Sequence, residues 1–456
     1  MDSRAVNATP SASDIAARLE RLPISRLHYR LLLIHGFGWL FDAMDVGIIT
    51  FVIVALSKEW VLSPSEVGLI ASSGLAGMFL GAAAGGIAAD RWGRKAVFQI
   101  TLLIFAISTA LCALAWGFWS MIAFRLLVGF GLGAELPVVS SLLSEFVPAR
   151  HRGRFIVLLE SFWAYGWLAA AIVAFVVIPT FGWRPAFLIG ALPAFYVWVI
   201  RRSLPESPRW LASKGRAEEA ESVMAALERE TERATGEALL PLESSERSIL
   251  AASQQSSLGA LWSARLRRRT TMLWILWFGL VFGYYGIFVW LPSLLVKSGY
   301  SMVNSFLYVV VITLAQIPGY FSAAYLIDRI GRRPVIISYL IASAICAFLF
   351  GRSTTTADIL TWASLMSFFN LGAWGGVYTY TPELYPTHIR GTGVGTAAAI
   401  GRVGGILAPI IVGALLPSIG QAGVLTLNAA LLVVAALSVA ILGKETKGAT
   451  LEELST

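Results

Sequence analysis

From residue 30 onward the chain alternates between apolar runs of about 20 residues and short polar stretches. A run of that length crosses the hydrocarbon of a bilayer as a helix, whereas the strict alternation of a membrane strand is absent. The pattern predicts twelve spans, at 30–56, 67–89, 96–117, 119–142, 155–178, 184–202, 271–296, 302–326, 334–351, 358–381, 391–416 and 421–442. The ninth is the shortest. Links as short as Gly117-Phe118 and Pro417 to Gly420 join only antiparallel neighbours. The expected fold class is therefore an all-α membrane protein of twelve transmembrane helices. Between the sixth and seventh spans the composition turns soluble, and Lys214–Arg233 carries the charge spacing and apolar positions of short surface helices. This divides the chain into a lead (1–29), a first half (30–202), a connecting segment (203–270), a second half (271–442) and a tail (443–456).

Composition agrees, since 57% of the residues are hydrophobic and 14% are charged. Soluble domains carry about 25% charged residues. Charge distribution adds orientation. Of the 35 Lys and Arg, 29 fall in the two terminal segments and the loops on their side of the membrane. The positive-inside rule then places both termini in the cytoplasm. The net charge of +8 follows from that bias, and its scatter over several loops does not suit nucleic-acid binding. Residues 1–29 contain Arg4, Arg18, Arg21 and Arg26 without a cleavage site after a short apolar core, so they read as an uncleaved lead. Cys112 and Cys346 lie in apolar runs and suit packing, not a disulfide framework or a metal site.

Two motifs recur at one offset. Asp90-Arg91-Trp92-Gly93-Arg94-Lys95 follows span 2, and Asp328-Arg329-Ile330-Gly331-Arg332-Arg333 follows span 8. Glu145, Pro148, Arg152 and Gly153 are matched by Glu383, Pro386, Arg390 and Gly391. The halves are therefore parallel repeats, a transporter plan that puts a substrate site at their interface. Asp90, Arg94, Asp328 and Arg332, with Glu145, Arg152, Glu383 and Arg390, are expected to form charged cytoplasmic networks that latch neighbouring helices during gating; topology-setting charge is the plainer alternative.

Charges inside the spans cost about 2.5–3.5 kcal/mol each on insertion scales and usually face a cavity or a partner. His35, Asp42 and Asp45 share one face of span 1, separated by about 20° and about 60° around the helix. Two carboxylates one turn apart disfavour double ionisation, which makes a proton site; a structural pair locked by Arg125 is the alternative. His35 reads as packed or as a relay. Glu135 lies about 15 Å along its helix from Arg125 and reads, with Glu160, as a half-interface or cytoplasmic-network residue, a proton relay being the alternative for both. Arg402 lies in an apolar helix (AAAIGRVGGILAP) with no acid, so a carboxylate from another helix or from a ligand is expected. Spans 7 and 10 are rich in aromatics, of which Tyr285, Trp374 and Tyr378 suit stacking on a flat ring, with Asn370 as a polar contact for a ring nitrogen. Gly77, Gly81 and Gly85, like Gly401 and Gly405, repeat every fourth residue and are read as a sliding surface between halves, or as static packing.

These motifs, together with Pro205-Glu206-Ser207-Pro208-Arg209, Pro382-Glu383-Leu384-Tyr385-Pro386 and Arg390-Gly391-Thr392-Gly393, resemble the major facilitator superfamily over nearly the whole chain. Within it they resemble the branch of sugar porters, organic-ion carriers, synaptic vesicle glycoprotein 2-like proteins and aromatic-acid/proton symporters, and most of all the bacterial nicotinate permeases. The resemblance implies that Asp42-Ala43-Met44-Asp45 stands for an Asp-Gly-x-Asp element, with Ala43 in place of Gly. It implies that Asp45 and Arg125 are the proton-coupling pair, and that Arg402 is the basic residue of organic-anion carriers. The amides that read sugar hydroxyls are replaced here by Gly279-Leu280 and Tyr285, which disfavours a sugar. The expectation is a proton-coupled importer of a small aromatic monocarboxylate, nicotinate by preference, working as a monomer in a bacterial inner membrane. No cofactor, metal or catalytic constellation is expected. A sugar or other organic-ion carrier, and a membrane sensor that does not transport, are the alternatives.

Overall fold

The structure is a computed structural model that describes residues 12–239, 258–386 and 389–447. Helix ends follow local chemistry. Ser63 Oγ caps its helix by accepting from the Glu66 backbone amide at 3.3 Å. The Glu66 carboxylate accepts in return from the Ser63 backbone amide at 2.8 Å. Pro64 occupies the first turn, where its missing N–H costs nothing. Ser301 and Thr355 cap later helices through their hydroxyls in the same way.

A lead helix α1 (Ala12–Glu20) precedes the first bundle: α2 (Arg26–Glu59), α3 (Pro64–Trp92), α4 (Arg94–Cys112), α5 (Phe118–Phe146), α6 (Ala149–Phe181), and α7 (Arg184–Gly190) joined through a 3-10 turn to α8 (Tyr196–Ser203). The connecting segment holds α9 (Pro208–Ser213) and α10 (Ala217–Thr235). The second bundle is α11 (Arg267–Phe288), α12 (Leu291–Lys297), α13 (Met302–Leu314), α14 (Gln316–Ile330), α15 (Arg332–Phe350), α16 (Thr356–Glu383) and α17 (Arg390–Leu442). Among the described residues, ten stretches are long and apolar enough to span a membrane. The helix α16 is long but less apolar. The helix α17 turns at Gly420, whose φ is 66°, and so supplies two spans, which makes twelve. Only glycine takes that left-handed backbone without strain. The ninth span is present as α15. Pro193 interrupts the sixth span, and Pro292 opens the short α12 that ends the seventh.

The lead and the connecting segment pack together at the end of the bundle that carries both chain ends. Arg18 bridges Glu221 at 2.5 Å and Glu228 at 2.6 Å, Arg21 reaches Glu228 at 2.6 Å, and Arg209 and Arg152 converge on Glu20 at 2.8 and 3.1 Å. The serine-rich link at 253–257 lies outside the described residues.

The glycine rows pack helices within each half. A Cβ on Gly77 or Gly81 would collide with the carbonyl oxygens of Leu126 and Phe130, and one on Gly85 with Ala134. Gly401 and Gly405 lie against Trp277, Val281 and Tyr285 of α11. The sliding-surface expectation is thus corrected: these rows seal α3 onto α5 and α17 onto α11. The close glycine contacts between halves are others. Gly68 meets the Pro409 carbonyl and Gly413 meets the Pro64 carbonyl, where α3 crosses α17.

Candidate functional site

The two bundles enclose a cavity of about 1030 Å³. Near the end that carries both chain ends it is bordered by Ala82 and Ala83 of α3 and by Arg390, Val394 and Gly395 of α17. At the other end the halves are closed. There Ser72 Oγ donates to Ile406 O at 2.7 Å, the Gly68–Pro409 and Gly413–Pro64 contacts leave no space, and Phe51 meets Phe306 edge to face at 5.1 Å. The cavity is accessible from one side only.

Its deep wall is aromatic. Trp374 and Tyr378 on α16 lie with ring centres 5.7 Å apart, and Trp277 on α11 meets both edge-on at 5.8 and 5.3 Å. Tyr284 and Tyr285 add a perpendicular pair at 5.3 Å. The first half contributes Trp39 and Trp163, 5.0 Å apart, and the Trp163 indole donates to the Tyr284 hydroxyl across the interface at 3.1 Å. These rings pack on one another and turn their remaining faces and edges to the cavity, a surface suited to an aromatic guest. Tyr285, Trp374 and Tyr378 thus line the cavity as the sequence suggested.

Arg402 also lines it. Its Nη1 donates to the Met78 carbonyl of the other half at 3.0 Å, and among the described residues no acid pairs with it. The other donors of the guanidinium fork remain for a ligand. Asn370 is not at this site. It is buried between α15 and α16, where its amide nitrogen reaches Ser343 Oγ at 3.4 Å, so the expected contact with a ring nitrogen is corrected. Residue spacing placed Asn370 one turn from Trp374 but could not tell which face of α16 meets α15.

The remaining sharp charges lie inside the first bundle. Asp45 is fully buried, accepts from Arg125 Nη1 at 2.7 Å, and also receives the Thr109 hydroxyl at 3.0 Å. Asp42 does not complete a cluster with that pair. Its carboxyl faces that of Glu135 from α5, and none of their oxygens meets another donor. Glu135 is therefore neither a half-interface nor a cytoplasmic residue; Gly38 makes its room, since a Cβ there would lie 2.8 Å from Glu135 Oε1. Two facing carboxylates in a buried site repel, so double ionisation of this pair is disfavoured. His35 stacks on Phe98 and its Nδ1 lies 2.6 Å from Leu31 O, the packed reading. Glu160 takes the half-interface place: it stands in the cavity wall between the halves among aromatics, not in a cytoplasmic network.

At the end carrying the chain termini, the repeated motifs build two matching braces. Arg94 Nε reaches Glu145 at 3.2 Å, while the backbone amides of Arg94 and Lys95 donate to Glu206 at 3.1 and 3.2 Å. In the second half Arg332 bridges Glu383 at 3.1 Å and Asp328 at 3.3 Å, and the amides of Arg332 and Arg333 donate to Glu445 at 3.0 Å. Gly93 and Gly331, at φ 100° and 104°, have no Cβ to strike Glu206 and Glu445. Arg152 binds Ser144 O at 2.9 Å and Arg390 binds Pro382 O at 2.9 Å, each closing a helix end. The Asp90 side chain lies outside the described residues. Glu445 went unnoticed in the sequence. Its signal was the match of Glu445-Thr446 to Glu206-Ser207, which recurs one position beyond the offset of the other repeats.

Comparison with known proteins agrees with this architecture. Residues 34–456 match the family model described as sugar (and other) transporter. The chain is 50% identical to the niacin transporter of Acinetobacter baylyi over 97% of its own length and 99% of that protein's. It is 46% identical to a putative niacin/nicotinamide transporter of Bacillus subtilis, covering 94% and 99%. Among solved structures it resembles the inward-open xylose transporter of E. coli, with a TM-score of 0.73 at 20% identity, covering 94% and 99%. The chain is a multi-pass membrane transporter and belongs to the sugar (and other) transporter family of the major facilitator superfamily.

Proposed function

We propose that this transporter imports nicotinate, or a close heteroaromatic monocarboxylate, together with protons across a bacterial inner membrane. The observation that carries the reading is Arg402: a guanidinium without an acidic partner among the described residues, in the wall of an aromatic cavity between the halves. Leaving such a charge unpaired is costly, and a carboxylate guest would offset that cost with a bidentate, charge-assisted contact. Tyr285, Trp374 and Tyr378 supply faces for the ring. The names of the two bacterial relatives support niacin as that guest. The amide-poor wall does not favour a sugar.

With both termini in the cytoplasm, as the positive-inside rule predicts, the open end of the cavity faces the cytoplasm and this is the releasing conformation. The braces at Arg94–Glu145–Glu206 and Arg332–Glu383–Glu445 each tie helices of one half, so each half would move as a body around the site while they reorganise in gating. Proton coupling rests on Asp45, Arg125 and Asp42, with Glu135 added. Protonating Asp45 would release Arg125, and the facing Asp42 and Glu135 carboxyls would hold a proton beside that pair. Reconstituted protein should accumulate labelled nicotinate against its gradient when a pH gradient is imposed, and hexoses should not compete. Saturable hexose uptake without nicotinate uptake would overturn the reading, and ligand binding without any accumulation would mark a sensor.

A further inference from the structure

Glu160, placed at the interface of the halves, is the only acid in the cavity wall among the described residues. It projects from α6 of the first half, is 6% exposed, and faces the Trp39 indole and the Tyr378 hydroxyl. No cation pairs with it among the described residues. Arg402 approaches the same chamber from the second half, and Tyr378 stands within electrostatic reach of both. The cavity therefore presents a guanidinium lacking an anion and a carboxyl lacking a cation, separated by aromatic rings that keep them from satisfying each other.

We infer that Glu160 recognises the ring nitrogen of the substrate, one proton being shared between that nitrogen and the Glu160 carboxyl while the substrate carboxylate lies on Arg402. This rests on the proposed function and narrows it from heteroaromatic monocarboxylates to pyridine carboxylates. The bookkeeping is that of a hydrogen bond: one proton, either on Glu160 and donated to nitrogen or on nitrogen and donated to the carboxylate. Benzoate would satisfy Arg402 equally but offer no acceptor for the Glu160 proton, and a buried donor so left is a strong basis for rejecting an isostere. Nicotinamide keeps the nitrogen and loses the anion. The two groups together therefore read both ends of the ring, from opposite halves of the protein. A guest that spans the halves in this way links its own binding to their movement.

The titratable and charged groups around Glu160 are Tyr378 of α16 and Tyr320 of α14, with Arg402 of α17 beyond Tyr378. The phenols and the guanidinium keep their protons through the neutral range, so a pH dependence of binding there reports on the shared proton. The test measures binding of nicotinate, benzoate and nicotinamide to purified full-length protein and to Glu160→Met, which keeps the length of the side chain and removes its donor and acceptor, from neutral to alkaline pH. Wild type should favour nicotinate over benzoate, with a ratio that falls as pH rises. Glu160→Met should lose about 10- to 100-fold in nicotinate affinity, hold benzoate within about threefold, and show a ratio independent of pH. Retained benzoate binding certifies the fold of the variant. A wild-type ratio that ignores pH, or Glu160→Met protein that still prefers nicotinate, would overturn the role of Glu160 while leaving nicotinate transport standing. Wild type that binds neither acid would overturn both.

Discussion

Replacing Arg402 with Ala separates a ligand clamp from a structural bond. Among the described residues the side chain makes one hydrogen bond, to the Met78 carbonyl. Such a bond is worth about 0.5–1.5 kcal/mol net. Against that loss, the variant no longer buries a guanidinium without an acid, so the melting temperature of the empty protein should change little or rise. Binding should respond very differently. Truncating one partner of a desolvated charge pair costs about 2–5 kcal/mol, and each step of about 1.4 kcal/mol is tenfold, so the nicotinate Kd should rise by roughly 30- to several thousand-fold. Calorimetry on detergent-purified protein reads this directly, with nicotinamide as the control whose affinity should move by no more than about threefold. Arg402→Lys keeps the charge but loses the planar fork, and should fall between wild type and Ala. If Arg402→Ala binds nicotinate within about threefold of wild type, the guanidinium is not the clamp and the reasoning from its missing acid is wrong.

Three other outcomes follow from the geometry. Asp45→Asn leaves Arg125 buried without its anion. That should lower thermal stability by about 3–5 kcal/mol and abolish accumulation driven by a pH gradient while sparing exchange of bound ligand. Adding Arg125→Gln should recover the stability but not the coupling, and uphill uptake by either variant would move the proton site to Asp42 and Glu135. Gly68→Trp would force α3 away from the Pro409 carbonyl and hold the far end open; labelling of a cysteine introduced in place of Ala83 should then fall, and undiminished labelling would refute the assignment of the closed end. Burial pushes the Glu228 carboxyl up, but its hydrogen bonds to Arg18 and Arg21 prevail and hold it below its ordinary value of 4.5. The docking of α1 on α10 should therefore be at full strength above that value and weaken as pH falls through and below it, read as lower protection of the α1 amides relative to their intrinsic exchange rates at acid pH.

Much of the fold was legible because lipid leaves the chain few choices. Apolar length marks a span, charge marks a loop, and a repeat at one offset marks two bundles. The errors came where the chain meets itself. Spacing said that Gly77, Gly81 and Gly85 form a smooth stripe, but not which helix lies against it. The answer, α5 of the same half, depends on tertiary packing that period alone does not encode. Asn370 failed for the same reason. Its turn on α16 was readable, and the burial of that turn against Ser343 was not.

The acidic residues mark the limit most clearly. Along α5, Glu135 stands about 15 Å from Arg125, whereas along α2 Asp42 and Asp45 are only about 4.5 Å apart, and axial distance alone forbids both contacts. They coexist because the long Arg and Glu side chains lean toward each other from α5 and converge on adjacent turns of α2, with Gly38 clearing the way. Helix geometry predicts where a Cα lies; a side chain several bonds long can erase a difference of two turns. Glu160 follows the same logic across the interface of the halves. Its helix is apolar on several sides, so no periodicity distinguishes the face that meets Trp39 and Tyr378 from the one that meets lipid. Only the closing of two repeats around a common space brings its carboxyl into one chamber with Arg402, and that closure is the event on which alternating access depends. Residues that read a substrate from opposite halves are thus the ones that single-helix patterns are least able to reveal.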